Sequence, residues 1–84
     1  MRYSVCFTKS AFKQLQKIPL IYYESIKQAI MSLADNPRPD GCKKLKAVEA
    51  YRIRVGNYRI IYEIIDDKLI VDIIAVGHRQ SIYN

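Results

Sequence analysis

The stretch Tyr51-Arg-Ile-Arg-Val-Gly-Asn-Tyr-Arg-Ile-Ile-Tyr62 constrains the fold more than any other part of the chain. Tyr51, Ile53 and Val55 alternate with Arg52 and Arg54. Gly56-Asn57 then supplies a two-residue turn, after which Tyr58, Ile60 and Tyr62 alternate with Arg59 and Ile61. Alternation of period two on both sides of such a turn predicts a β-hairpin. A two-residue loop sets Val55 opposite Tyr58 and Arg54 opposite Arg59, and residues opposite one another share a face. One face is then tyrosine, isoleucine and valine, and the other carries Arg52, Arg54 and Arg59. Like charges directly opposite destabilise a sheet. A hairpin serving only as structure tends to avoid that pairing, whereas one that holds a phosphate uses it.

Residues 2–7 fit a first strand, with Cys6 read as a core residue. Thr8 is placed to cap a short helix running through about Lys17, with Phe12, Leu15 and Ile18 as its apolar stripe. Pro19 ends that helix, because proline disfavours the helical region for the residue before it, and opens a second over about 20–34. Tyr22, Ile26, Ala29, Ile30 and Leu33 recur at intervals of three and four and mark one buried face. Asn36-Pro-Arg-Pro-Asp-Gly41 is a stop and loop. The strand from Tyr58 runs to about Ile65, Asp66-Asp67 forms a second tight turn, and Leu69 to Val76 is the last strand. Leu69, Val71 and Ile73 are assigned to the Tyr/Ile face; Ile70, Asp72, Ile74 and, if the strand persists past Gly77, His78 to the arginine face. The expected fold is α+β, in the order β-α-α-β-β-β. Two N-terminal helices pack on one face of an antiparallel sheet, leaving a shallow basic surface opposite.

The 84 residues suit one domain, 1–84, with a small core. Hydrophobic residues make up 50%, enough for a globular fold, and the net charge of +6 argues for an anionic partner. The N-terminal apolar run is too short for a signal peptide, and no segment approaches the roughly 20 apolar residues of a membrane span. Cytoplasmic location is the expectation, with no membrane partner. Cys6 and Cys42 are then expected to be reduced thiols without redox spacing, and two cysteines with one histidine do not make a zinc site. No metal and no small-molecule cofactor is expected.

The order of features resembles the RelE/ParE superfamily of bacterial and archaeal toxins, the RelE-like branch most closely. The resemblance spans nearly the whole chain. It rests on the Phe12/Leu15 helix, the helix ending Leu33-Ala-Asp-Asn-Pro37, Lys43-Lys-Leu-Lys46, the arginine hairpin through Glu63, Val76-Gly-His-Arg79 and the near-terminal Tyr83. It implies a toxin of a type II toxin–antitoxin system that enters the ribosomal A site, cuts mRNA and is held inactive by a cognate antitoxin. The family's catalytic positions fall on Arg52, Arg54, Arg59, Arg79 and Tyr83. The first two are lysines in the best-known members and arginines here.

That exchange bears on mechanism. Metal-independent RNA cleavage by 2′-OH attack needs a base for the 2′-OH, cations for the phosphorane and an acid for the departing 5′-oxygen. Arginine suits the second role, since its planar fork pairs with two phosphate oxygens and stays charged. It is a poor base for the same reason. Arg59 is thus the first choice for the scissile phosphate and Arg79 the second, with Arg52 and Arg54 binding phosphate. Proton transfer is assigned to Tyr83 and His78. Lys43, Lys44 and Lys46 are candidate contacts for ribosomal RNA phosphates. Tyr51, Tyr58 and Tyr62 are read as core rather than as stacking platforms, and Glu63 and Asp72 as possible anchors for arginines. Two other functions remain open: a ParE-like toxin that binds DNA gyrase without cutting RNA, and a non-catalytic basic RNA-binding module.

Overall fold

A computed structural model describes residues 2–46 and 48–78. Strand β1 (Ser4–Phe7) leads into helices α1 (Lys9–Gln16) and α2 (Leu20–Ser32). Four strands follow: β2 (Lys43–Lys44), β3 (Tyr51–Val55), β4 (Tyr58–Ile65) and β5 (Ile70–His78). They form a single sheet in the order β1-β5-β4-β3-β2. The three-strand meander β3-β4-β5 is antiparallel as expected. β1 adds to its far edge parallel to β5, with Ser4 opposite Ile70 and Phe7 opposite Ile73, so the sheet is mixed. A parallel pair needs a long crossover, and the two helices are part of it. The two-residue β2, unforeseen in the sequence, closes the other edge.

Thr8 caps α1 as expected, its hydroxyl accepting from the Ala11 N–H at 3.1 Å. The buried stripe of α1 is Ala11 and Leu15, continued by Ile18. Phe12 sits one residue round the helix and is 51% exposed, its ring edge-on to Phe7 at 6.5 Å. In α2 the buried face is Ile26 and Ile30, continued by Leu33 and flanked by Ala29. Tyr22 is 49% exposed, contrary to its assignment. These residues pack on Ile53, Ile60, Tyr62, Val71, Ile73 and Val76 of the sheet. Cys6 alternates out of that core and is exposed on the other face; Cys42 packs against it.

Tyr62 is fully buried and donates to the Pro37 carbonyl at 2.7 Å, tying the loop after α2 to the central strand. Burial pushes its phenol above the ordinary tyrosine range. Tyr62→Phe leaves that carbonyl without its donor and is expected to lower unfolding free energy by about 1–3 kcal/mol, read as a lower urea midpoint at unchanged slope.

The β4–β5 connection is longer than a tight turn. Asp66–Lys68 form a single 3-10 turn, and Leu69 is left-handed (φ 55°) rather than part of the strand. Asp66 anchors this corner. Its carboxylate accepts from Arg38 Nη1 at 3.3 Å and Nη2 at 2.9 Å, and from the Tyr3 hydroxyl at 2.7 Å. The Arg38 guanidinium also lies over the Tyr51 ring, 5.3 Å from its centre. Arg38, and secondarily Tyr3, hold the Asp66 carboxyl below its ordinary range. A depressed carboxylate contributes stability that is present above about pH 4 and is lost as pH falls through the folded-state value. Asp66→Asn is therefore expected to flatten the acid limb of a plot of urea midpoint against pH. A limb unchanged in the variant contradicts this assignment.

Candidate phosphate-binding face

The hairpin register is the one its turn dictates: Val55 opposite Tyr58, Arg54 opposite Arg59, Ile53 opposite Ile60, Arg52 opposite Ile61 and Tyr51 opposite Tyr62. Gly56 has φ +59° while Asn57 is not among the positive-φ residues, the type II′ pattern that matches strand twist. Residues opposite one another have Cβ atoms roughly 4.5–5.5 Å apart. Two arginine stems thus rise side by side from the sheet face away from the helices. Lys43, opposite Arg52, joins them on that face. Arg54 is exposed, whereas Arg52 and Arg59 are half-buried with their Nε atoms buried. Half-buried Ile61, Ile65, Ile70 and Ala75 floor the rest of this side. Cations beside such a floor interact with an anion through a lower effective dielectric than in bulk water. Glu63 and Asp72, opposite each other in β4 and β5, lie on the same face.

Lys44 points to the opposite side and pairs with Glu49 at 3.4 Å, both largely exposed. Lys46 is exposed in the loop closed by Leu45 N–H donating to the Ala50 carbonyl at 2.8 Å.

His78 is on the helix-facing side, not the arginine side, and the reason is one residue. The pairing of β4 with β5 shifts between Ile61 and Tyr62: Tyr62 opposes Ile73 but Ile61 opposes Ala75, leaving Ile74 as an extra residue. A bulge of this kind reverses the alternation beyond it. Val76 consequently enters the core opposite Ile60, and His78 stands opposite Tyr58, its ring edge-on to that tyrosine at 5.7 Å. The bulge is held by α1. Thr8 N–H donates to the Ile73 carbonyl at 3.0 Å, the Thr8 hydroxyl to the Ile74 carbonyl at 3.5 Å, and Val76 N–H donates to Gln14 Oε1 at 2.9 Å. Arg79 and Tyr83 lie outside the described residues. The structure thus brings together Arg52, Arg54, Arg59 and Lys43, and separates His78 and Lys44 from them.

The sequence reading missed the Arg38–Asp66–Tyr3 anchor, whose partners are far apart in the chain and carry no motif. It also missed that Tyr22 and Tyr58 meet, with ring centres 5.5 Å apart.

The family of ParE toxins of type II toxin–antitoxin systems (parDE) matches residues 5–83. An Escherichia coli protein named a putative RelE-like toxin is 32% identical over 88 residues, covering 100% of this chain and 93% of that protein. The mRNA interferase toxin RelE of Escherichia coli K12 is 29% identical over 82 residues, covering 95% and 86%. Among solved structures, a chain of the RelBE2 toxin–antitoxin complex of Mycobacterium tuberculosis superposes with a TM-score of 0.83 at 29% identity, covering 94% of this chain and 100% of that one. With a family match over nearly its whole length and the same helix-and-sheet arrangement, this chain belongs to the ParE toxin family of type II toxin–antitoxin systems and is a RelE-like toxin.

Proposed function

We propose that the protein is an mRNA endonuclease that acts in the ribosomal A site and cleaves by attack of a 2′-OH on the adjacent phosphorus. The observation that carries this reading is the Arg54–Arg59 cross-strand pair, with Arg52 and Lys43 beside it on one face of the sheet. Two opposed cations repel across a sheet, and a phosphorane with two negative charges draws on both. Arg59 and Arg54 grip the scissile phosphate, Arg52 and Lys43 take neighbouring phosphates, and Arg79, at a position the family pattern makes catalytic, adds a third guanidinium at the scissile phosphate. As the P–O2′ bond forms and the P–O5′ bond breaks, a proton leaves the 2′-OH and another reaches the 5′-oxygen, giving a 2′,3′-cyclic phosphate and a 5′-OH. Tyr83 is assigned the proton transfer because the family pattern makes its position catalytic; a phenol beside arginines would favour its phenolate. The place of His78 on the helix side of the sheet weighs against a role at this phosphate. Similarity to a protein named mRNA interferase RelE supports the reaction class.

The inhibitor fits the same picture. A similar toxin chain occurs in a toxin–antitoxin complex. The +6 charge and the exposed Leu20 and Ile21 on α2 suit a cognate antitoxin that combines acidic residues with an amphipathic helix.

Expressed without its antitoxin, the protein is expected to arrest growth by stopping translation. Primer extension on mRNA from arrested cells should show cuts in codon register within translated regions. Intact mRNA with loss of gyrase supercoiling would instead assign the protein to the gyrase-directed class.

A further inference from the structure

The helix-facing side has a feature that the phosphate site does not use. Two adjoining depressions, about 220 and 200 Å³, share Tyr58 and His78 as a common wall. The first continues over Gln14 and Lys17, and the second over Tyr22 and the Gly56-Asn57 turn. Three flat rings border this space: the Tyr58 ring centre lies 5.5 Å from that of Tyr22 and 5.7 Å from that of His78.

We propose that this cleft accepts a nucleobase of single-stranded RNA, as a subsite next to the phosphate-binding face; the inference rests on the RNA-directed function above. Stacking on aromatic rings favours any base, since each has a π-face. The polar groups suit the rest of a nucleotide. Gln14 uses its Oε1 for the Val76 N–H at 2.9 Å, so its amide hydrogens remain as donors for a base edge. The Asn57 amide offers a donor and an acceptor, and Lys17 offers a cation for a phosphate. An aliphatic side chain of a protein partner would match the rings but give Gln14, Asn57 and Lys17 nothing to bind. The two sites are also continuous. Tyr58 is followed directly by Arg59, and in β5 the residues opposite them are His78 and Gly77. A strand of RNA held on Arg54 and Arg59 reaches the cleft by passing the end of one hairpin. The bulge at Ile74 is what builds the wall, since without it His78 would fall on the other face.

His78 is the only histidine, so its ring protons report on the cleft alone in an NMR titration of the whole protein. The probe is a short 2′-O-methyl oligonucleotide, which has no 2′-OH to attack, so the outcome is independent of cleavage. Stacking should move the His78 ring signals upfield, and Tyr22→Ala, a change at a half-exposed side chain, should weaken binding about ten-fold. Inorganic phosphate alone should leave those signals in place. Signals that stay fixed while the oligonucleotide binds, or that phosphate alone reproduces, overturn the proposal. So does a His78 response to the antitoxin with none to RNA, which would give the cleft to a protein partner. On ribosomes, a photo-crosslinking residue at position 22 should label RNA; mRNA and ribosomal RNA are told apart by mapping the crosslink, and labelling of protein only overturns the subsite. If the His78 signals move as expected but no mRNA is ever cut, the cleft stands and the nuclease reading fails.

Discussion

Arg59→Gln is expected to reduce mRNA cleavage about 10²–10³-fold, the usual loss when one preorganised donor to a developing anion is removed. Arg59 faces Arg54 directly across the hairpin, where like charges repel. A residue that matters only for folding loses activity in proportion to stability; here cleavage should collapse while the protein stays folded at the assay temperature. Arg54→Gln should relieve the same repulsion and lower cleavage by a smaller factor, because the more exposed guanidinium is better screened by water and salt. Ribosome-programmed cleavage rates beside urea unfolding of the same preparations check both halves. Activity retained in Arg59→Gln would remove the pair from the mechanism.

Tyr83→Phe should lower cleavage about 10²–10⁴-fold with little change in RNA affinity, as expected on losing a general acid or base. Phenylalanine keeps the ring and removes only the titratable oxygen. His78→Gln is the informative companion. The register of β5 sets His78 across the sheet from Arg59, so its loss should act through RNA binding rather than the chemical step. Single-turnover rates at saturating ribosome separate the two. A chemical-step defect in His78→Gln as large as that in Tyr83→Phe would return the histidine to the reaction centre.

How far the sequence carried these conclusions varies by element, for physical reasons. The β3–β4 register was legible because two residues between alternating runs leave one pairing, and glycine at the first turn position permits the required positive φ. The phosphate face followed from it. The helices were legible from spacing, although Ala11-Leu15-Ile18 and Ile26-Ile30-Leu33 fill the buried stripes without Phe12 and Tyr22. The position of His78 was not legible. The bulge at Ile74 carries no glycine or proline, and it is held by Thr8 and Gln14, more than sixty residues away in the chain. The parallel docking of β1 is likewise a tertiary outcome. Exposure of Cys6 follows from the alternation of Ser4 and Cys6 with Val5 and Phe7, a period that overrides the thiol's general preference for burial.

The most direct measurement uses ribosomes programmed with an mRNA bearing a single 2′-deoxynucleotide immediately 5′ of the cut phosphate. If arginines on the hairpin face stabilise a phosphorane formed by the neighbouring 2′-oxygen, the unmodified message gives a 2′,3′-cyclic phosphate end and the deoxy-substituted message is not cut at that bond. Cleavage of the substituted message at the normal rate would mean that the nucleophile comes from elsewhere and that the paired arginines serve another purpose.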